Sequence, residues 1–249
     1  MILNNFKCIH NYVIEIKHHM LEKNVQHIIG SGFLASNLKK YLKYLKKYNV
    51  TIYAAGISNS LEKNSINLKK EIIKIKKFLK KNKKKIVYIS TYSVEDESRK
   101  NKLYVKNKIK IEKIIKNLSK EYLIIRLPEI IGKNKNLHTL SNFFFNKIFN
   151  KLSFVLYKNV KRNILDVDDA LKECIKIIKI NKNKNNTINL LNKTFYSPEK
   201  IVNNFEKILL LKAKFKIKFI KKNNLILKNN HYFKSNKNYL RKVLKKYYC

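Results

Sequence analysis

Residues 28–35 read Ile28-Ile29-Gly30-Ser31-Gly32-Phe33-Leu34-Ala35, a G-x-G-x-x-A pattern between an apolar run and a stretch of helical spacing. Val25–Ile29 reads as a buried strand, and Phe33, Leu34, Leu38, Tyr41, Leu42 and Leu45 form one face of a helix from Phe33 to about Lys47. In such a strand–turn–helix the first glycine permits the tight turn, and the second lets a pyrophosphate approach the backbone. Ala35 is small enough for close helix–strand packing, with the helix N-terminus facing the phosphates. The context lends the weight, because the bare glycine pattern also occurs as a structural turn without a ligand. The chain has only four glycines, Gly30, Gly32, Gly56 and Gly132, and each follows a short apolar run. Where glycine is this scarce, the backbone needs those that remain.

The same alternation continues. Thr51–Ala54 is a second strand ending at Ala55-Gly56, and Leu61 to Leu79 is helix-like. Ile86–Ile89 is a third strand ending at Ser90-Thr91, Asn101 to Leu118 a helix, and Tyr122–Leu127 a strand stopped by Pro128. This order predicts a mostly parallel sheet with helices on both faces. After Gly132, His138–Phe149 and Val167–Ile178 are helical, with Phe143-Phe144-Phe145 as core. Ser197-Pro198-Glu199 starts a helix, Lys214–Ile220 alternates like an edge strand, and Tyr239–Tyr248 closes the chain as a helix. The division expected is an N-terminal extension (1–24), a dinucleotide-binding core (25–132) and a C-terminal substrate-binding region (133–249) partly interleaved with the core.

The chain's 249 residues, 45% of them hydrophobic, are enough to bury a real core. No uncharged apolar run of about 18 residues occurs, which excludes a membrane-spanning helix. Glu15, Lys17 and His18-His19 do not fit a signal peptide, and a cytoplasmic protein is expected. Three scattered cysteines (Cys8, Cys174, Cys249) support neither a disulfide framework nor a zinc set. His10, His18, His19, His27 and His138 add no ligand spacing, so no metal is expected.

The formal net charge is +41, yet only Arg99, Arg126, Arg162 and Arg241 are arginine. Specific phosphate and base readers favour arginine's planar fork. Lysine rises here together with asparagine and isoleucine through loops and helix backs, which reads as dispersed surface charge without a specific nucleic-acid partner. A basic nucleic-acid-binding protein is the remoter alternative.

Tyr104-Val105-Lys106-Asn107-Lys108 places Tyr104 and Lys108 on one helical face. A lysine so placed favours the phenolate, pulling a pKa of about 10 toward neutrality. Tyr-x-x-x-Lys means little alone in a chain so rich in both residues. This one opens the helix that follows the strand ending at Ser90-Thr91.

With these pieces the chain resembles the extended branch of the short-chain dehydrogenase/reductase superfamily, the NAD-dependent sugar-nucleotide epimerases and dehydratases. The resemblance runs in family order from about residue 25 to 205. It comprises the glycine turn, Tyr53-Ala54-Ala55-Gly56, Tyr88-Ile89-Ser90-Thr91, Tyr104 to Lys108, Arg126-Leu127-Pro128-Glu129-Ile130-Ile131-Gly132, and Arg162-Asn163-Ile164-Leu165-Asp166-Val167-Asp168-Asp169. It implies a Rossmann-like α/β fold and a nicotinamide cofactor, NAD or NADP. It also implies oxidoreduction at a nucleotide-activated sugar, feeding polysaccharide synthesis; a homodimer is compatible with it.

By position, the resemblance makes Tyr104 the general acid or base, Lys108 its partner and ribose donor, and Thr91 the hydroxyl that orients substrate. Ser90 is the fallback for Thr91. It places cofactor on Gly30, Ser31, Gly32, Phe33, Leu34, Ala35, Ala55, Gly56 and Pro128 besides Tyr104 and Lys108. It places substrate on Ser90, His138, Thr139 and Arg162, the arginine pairing with phosphate. Asp168-Asp169 reads first as acids at a helix start.

One departure stands out. The Ala54-Ala55-Gly56 strand follows the first helix directly, where the family has two further strands, so the first half is shortened. No Asp or Glu lies between Glu22 and Glu62, where the family's acid for the ribose 2′-hydroxyl belongs. A non-catalytic binding module that kept the fold is the main alternative to the enzyme.

Overall fold

The computed structural model describes residues 27–60, 62–182, 184–220 and 229–249. The expected extension, residues 1–24, lies outside them, as do residues 25–26 of the first expected strand. β1 (Ile28–Ile29) leads into α1 (Phe33–Leu38) and α2 (Leu42–Leu45), each followed by a 3₁₀ turn. The single helix expected up to Lys47 is thus broken. Lys39, Lys40, Lys43, Lys46 and Lys47 lie three or four apart with no acid among them, and such like-charge pairs weaken a regular helix.

β2 (Val50–Tyr53), α3 (Ser65–Lys81), β3 (Lys85–Thr91), α4 (Leu103–Leu118) and β4 (Tyr122–Leu127) follow. α3 starts four residues later than its apolar spacing suggests, because the Asn64 side chain caps it, accepting from the amides of Ile66 and Asn67. Next come β5 (Glu129–Ile131), α5 (Leu140–Phe149), β6 (Phe154–Lys158), β7 (Arg162–Asp166), α6 (Val167–Ile180) and β8 (Asn186–Asn192). The described chain ends with β9 (Phe195–Tyr196), α7 (Pro198–Leu209), β10 (Phe215–Phe219), β11 (Asn230–Phe233) and α8 (Tyr239–Tyr248). No helix among the described residues is long and apolar enough to cross a membrane.

The main sheet is parallel throughout, in the order β1-β2-β3-β4-β8-β11. It is the Rossmann-like α/β sheet that the sequence predicts. Alternate residues of its strands feed two cores. Val50, Ile52, Val87, Ile89, Leu123 and Ile125 pack with Ala35, Leu38 and Leu45 of α1 and α2, and with Leu171, Cys174 and Ile178 of α6. On the opposite face Tyr53, Ile86, Tyr88 and Ile124 pack with Ile75 and Leu79 of α3 and Ile111 and Ile115 of α4. Helices cover both faces.

This arrangement has a topological consequence. β1, β2, β3 and β4 stand side by side in chain order, so the crossovers between them all step in one direction. α3 and α4 make that step on one face, and the α1–α2 connection makes it on the other. Steps in one direction on opposite faces have opposite hands. The α1–α2 connection therefore differs in hand from the α3 and α4 crossovers, in a class of crossover that is right-handed in roughly 98% of cases.

A further core lies past β4. Phe144, Ile148, Phe154, Leu156, Tyr196, Phe205 and Leu244 fill it, with Phe143 and Phe145 packed against it. β10 pairs parallel with β6 and carries five exposed residues, the edge strand that its alternation predicts.

Candidate active site

The carboxyl ends of β1–β4 open into a cavity of about 770 Å³. Ser31, Gly32, Phe33 and Leu34 border it from the first turn, Gly56 from the loop after β2, and Ser90 and Thr91 from the end of β3. Tyr104 and Lys108 face it from α4, Pro128 from the end of β4, and His138, Thr139 and Arg162 from the C-terminal region. The crevice exists because the chain leaves β1 toward one face of the sheet and β2 toward the other, so the loops diverge.

Gly30, Ala35 and Ala55 stand behind this wall. Gly30 has φ +132°, and a Cβ there would lie 2.7 Å from the Ala54 carbonyl oxygen, so only glycine fits. Ala35 is wholly buried between α1 and the sheet, and Ala55 packs against the core under α3 and α4. Gly32 differs: it has an ordinary φ of −74° at the N-cap of α1, and nothing lies within 4 Å of where its Cβ would be. The turn is fixed by Gly30 and left open by Gly32.

Thr91, Tyr104 and Lys108 converge as the sequence places them. The Thr91 hydroxyl stands beside the Tyr104 phenol and accepts from the Ser93 amide at 3.2 Å. The Lys108 ammonium lies 5.5 Å from the centre of the Tyr104 ring. Its own hydrogen bonds go to Glu71 Oε1 at 2.8 Å and to the Tyr88 hydroxyl at 3.4 Å. A Cβ on Gly56 would sit on that ammonium, so glycine is what lets the loop close over the pair.

The sequence reading expected Lys108 to draw the Tyr104 phenol toward neutrality, and the structure corrects this. Burial raises the Tyr104 pKa above its ordinary value; Lys108 and the Thr91 hydrogen bond lower it but do not prevail, and Glu71 and Glu129 raise it further. Burial also opposes the Lys108 charge, but the Tyr88 and Tyr104 phenols and the Glu71 carboxylate outweigh it, and the lysine stays an ammonium.

The remaining candidates divide. Ser90 borders the cavity, but its hydroxyl donates to Glu112 at 2.6 Å, part of a buried group in which Glu112 also takes two bonds from Arg126. Thr139 is the N-cap residue of α5, and its hydroxyl donates to the Asn136 carbonyl; His138 beside it is exposed. Arg162 is deeply set, with a buried Nε that has no hydrogen-bond partner; burial, then the neighbouring Arg99, lowers its pKa. An unpartnered guanidinium nitrogen beside a cavity is suited to an anion. Asp166 caps α6, Asp168 binds Lys246, and Asp169 accepts from Tyr239, so Asp168-Asp169 is a helix start tied to α8.

Sequence reasoning missed Glu71 and Arg99. Arg99 borders the cavity, donates to Ser93 and lies 3.4 Å from Asp96. A signal existed for Glu71: it is the single acid in a helix with seven lysines. Glu112, the single acid of α4, is buried in the same way.

By sequence the chain matches no family model and no curated protein. By structure it is similar to UDP-N-acetylglucosamine 4-epimerase from Bacillus cereus, with TM-score 0.62 and 17% identity over 88% of this chain and 96% of that one. MoeE5 in complex with UDP-glucose and NAD gives 0.63 and 10% over 87% and 95%. RMD from Pseudomonas aeruginosa, complexed with NADPH, gives 0.60 and 12% over 89% and 97%. The chain has the Rossmann-like fold of these enzymes.

Proposed function

We propose that the chain is a nicotinamide-dependent oxidoreductase of nucleotide-activated sugars, with Tyr104, Lys108 and Thr91 at the reacting carbon. The observation that carries this reading is one cavity bordered both by the glycine turn and by the Thr91–Tyr104–Lys108 group. Neighbours of the same fold are described with NAD, NADPH or UDP-glucose bound, which supports the same ligand classes here.

The residues present fit NAD or NADP at two of its parts. The open space over Gly32, at the N-terminus of α1, suits a pyrophosphate. Lys108, with Glu71 and Tyr88 holding two of its three donor directions, has one left for a ribose hydroxyl. At the adenosine part no carboxylate among the described residues borders the cavity on this side; Ser36, Asn37, Ser58 and Ser60 do, so neutral polar groups would take the place of the family's acid. When bound, the nicotinamide supplies the hydride acceptor or donor.

The chain's own part is positional and protonic. The Thr91 hydroxyl stands beside the Tyr104 phenol, so a substrate oxygen within reach of both meets two hydroxyls. Tyr104 passes or receives the proton of that oxygen. Arg162, with its unpartnered Nε, would hold a phosphate oxygen of the sugar nucleotide.

The test is a fluorescence titration of NADH and NADPH against wild type and Gly32→Val. A side chain at Gly32 enters open space, so the melting temperature should hold while affinity falls at least about tenfold, or about 1.4 kcal/mol. Equal affinity in both proteins, or none in wild type, overturns the reading.

A further inference from the structure

The Glu71–Lys108 pair is a second built feature of this cavity. It joins α3 to α4, and both side chains are 4% exposed. Each carboxylate oxygen has a partner, Oε1 the Lys108 ammonium and Oε2 the Asn107 amide at 2.9 Å. Gly56 closes over the pair on the loop side. Ordering this much around one lysine is costly, since a buried ion pair repays its desolvation only when both partners are fully hydrogen-bonded.

We propose that Glu71 is a positioning residue that holds the Lys108 ammonium in a closed, neutral pair and so limits its pull on the Tyr104 proton, which favours Tyr104 as the proton donor to a substrate carbonyl. The carbonyl substrate rests on the function proposed above; the pairing does not. In this direction the carbonyl carbon accepts a hydride from a reduced nicotinamide, which is oxidised in turn. The carbonyl oxygen takes the Tyr104 proton, and water then returns a proton to the phenolate.

The charged and titratable groups around Tyr104 support this. Lys108 stands on its own helix, Glu71 comes from α3, Tyr88 from β3 and Glu129 from β5, with the Thr91 hydroxyl beside it. Lys108 is the one cation in this set, and Glu71 is bonded directly to it. Burial does most to hold the Tyr104 proton; Lys108 pulls against it, and Glu71, bonded directly to the ammonium, offsets part of that pull.

The experiment follows tyrosine Cζ by carbon NMR in the full-length, ¹³C-labelled protein, with Tyr104→Phe identifying the Tyr104 signal. Glu71→Gln should lower the Tyr104 midpoint by about one pH unit or more, the size of shift expected from an unmatched charge nearby. Lys108→Met should raise it. The double variant Glu71→Gln/Lys108→Met, which leaves no buried unpaired charge, should return to within about half a unit of wild type. It also decides the matter if Glu71→Gln does not fold. A Glu71→Gln midpoint equal to wild type, or a double variant that titrates like Lys108→Met alone, overturns the proposal. No cofactor takes part, so this result stands apart from the NADH titration: binding can fail while the pairing holds, or the reverse.

Discussion

The two sides of the cavity are built on different terms. On the α4 side the parts lock one another: Lys108 bonds Glu71, Glu112 joins Ser90 to Arg126, and Thr91 stands beside Tyr104. On the α1 side a two-residue strand forms the sheet edge, followed by a helix broken into short pieces. In a doubly wound sheet of order 3-2-1-4-5-6 the first crossover steps away from the fourth strand, and two more strands lie beyond the first. Here no described strand lies beyond β1. The α1–α2 connection still covers the face opposite α3, and it does so by taking the opposite hand. What survives is the divergence of the loops after β1 and β2, which is the feature that makes a crevice. A Rossmann-like sheet can thus carry no strand beyond its first among the described residues and still keep the crevice, because the connections after β1 and β2 leave toward opposite faces.

If the α4 side carries the chemistry, its removal gives the largest effect. Tyr104→Phe deletes one oxygen and no packing surface. Turnover of a sugar-nucleotide substrate should fall about 10²- to 10⁴-fold, the usual contribution of a positioned acid or base, with NADH affinity unchanged. Wild-type turnover in the variant would mean that the locked side is architecture only.

The next effect belongs to the other side and concerns stability. Gly30→Ala forces a side chain into a positive φ and onto the Ala54 carbonyl, at the junction of β1 and β2. The cost should be about 2–3 kcal/mol, lowering the melting temperature by roughly 5–10 °C in a chain of this size. A thermal melt checks it, with Gly32→Val as the companion that should not move. Should both glycines prove equally tolerant, the turn is not the rigid seat that its geometry implies.

Much of this contrast could be read in the sequence, and the parts that could not share a cause. Gly30 and Gly32 mark their turn because the chain has so few glycines, and Tyr104 and Lys108 gain meaning from the strand end that precedes their helix. These are local signals. The hand of the α1–α2 connection depends on which sheet face it covers and which way β1 steps to β2, and both are set by contacts with β2 and α6 far along the chain. Glu71 is hidden for a related reason: on α3 it looks like one more charge on a solvated face, and only the approach of α4 makes it a partner for Lys108. The pull of Lys108 does not prevail on Tyr104 chiefly because the phenol is buried, and burial is decided by packing that no local pattern shows. Lysine-rich drift masks these positions, although a solitary acid in a run of lysines marks both Glu71 and Glu112.

The smallest expected effect comes from the ion pair beside the shortened half. Lys246 on α8 donates to Asp168 at 2.8 Å and to Asp166 at 3.0 Å, at the start of α6, which packs against α1. Unlike Glu71–Lys108, this pair is open: the side chains of Lys246 and Asp168 are 46% and 34% exposed. The Lys246 hydrogen bond holds the Asp168 carboxyl below its ordinary value of 3.8. A depressed carboxylate adds stability above its unfolded pKa and loses it as pH falls through the folded one. Solvent screening keeps such a pair below about 1 kcal/mol. With a net charge of +41, deleting any lysine also relieves repulsion, so Lys246→Ala must be read against Lys245→Ala, an exposed neighbour on the same helix. At pH 7 the Lys246 variant should be the less stable of the two in urea by under about 1 kcal/mol, and the gap should close as the pH falls below about 3.8, the unfolded value. A gap that persists in acid would move the role of Lys246 from the carboxylates to the packing of α8.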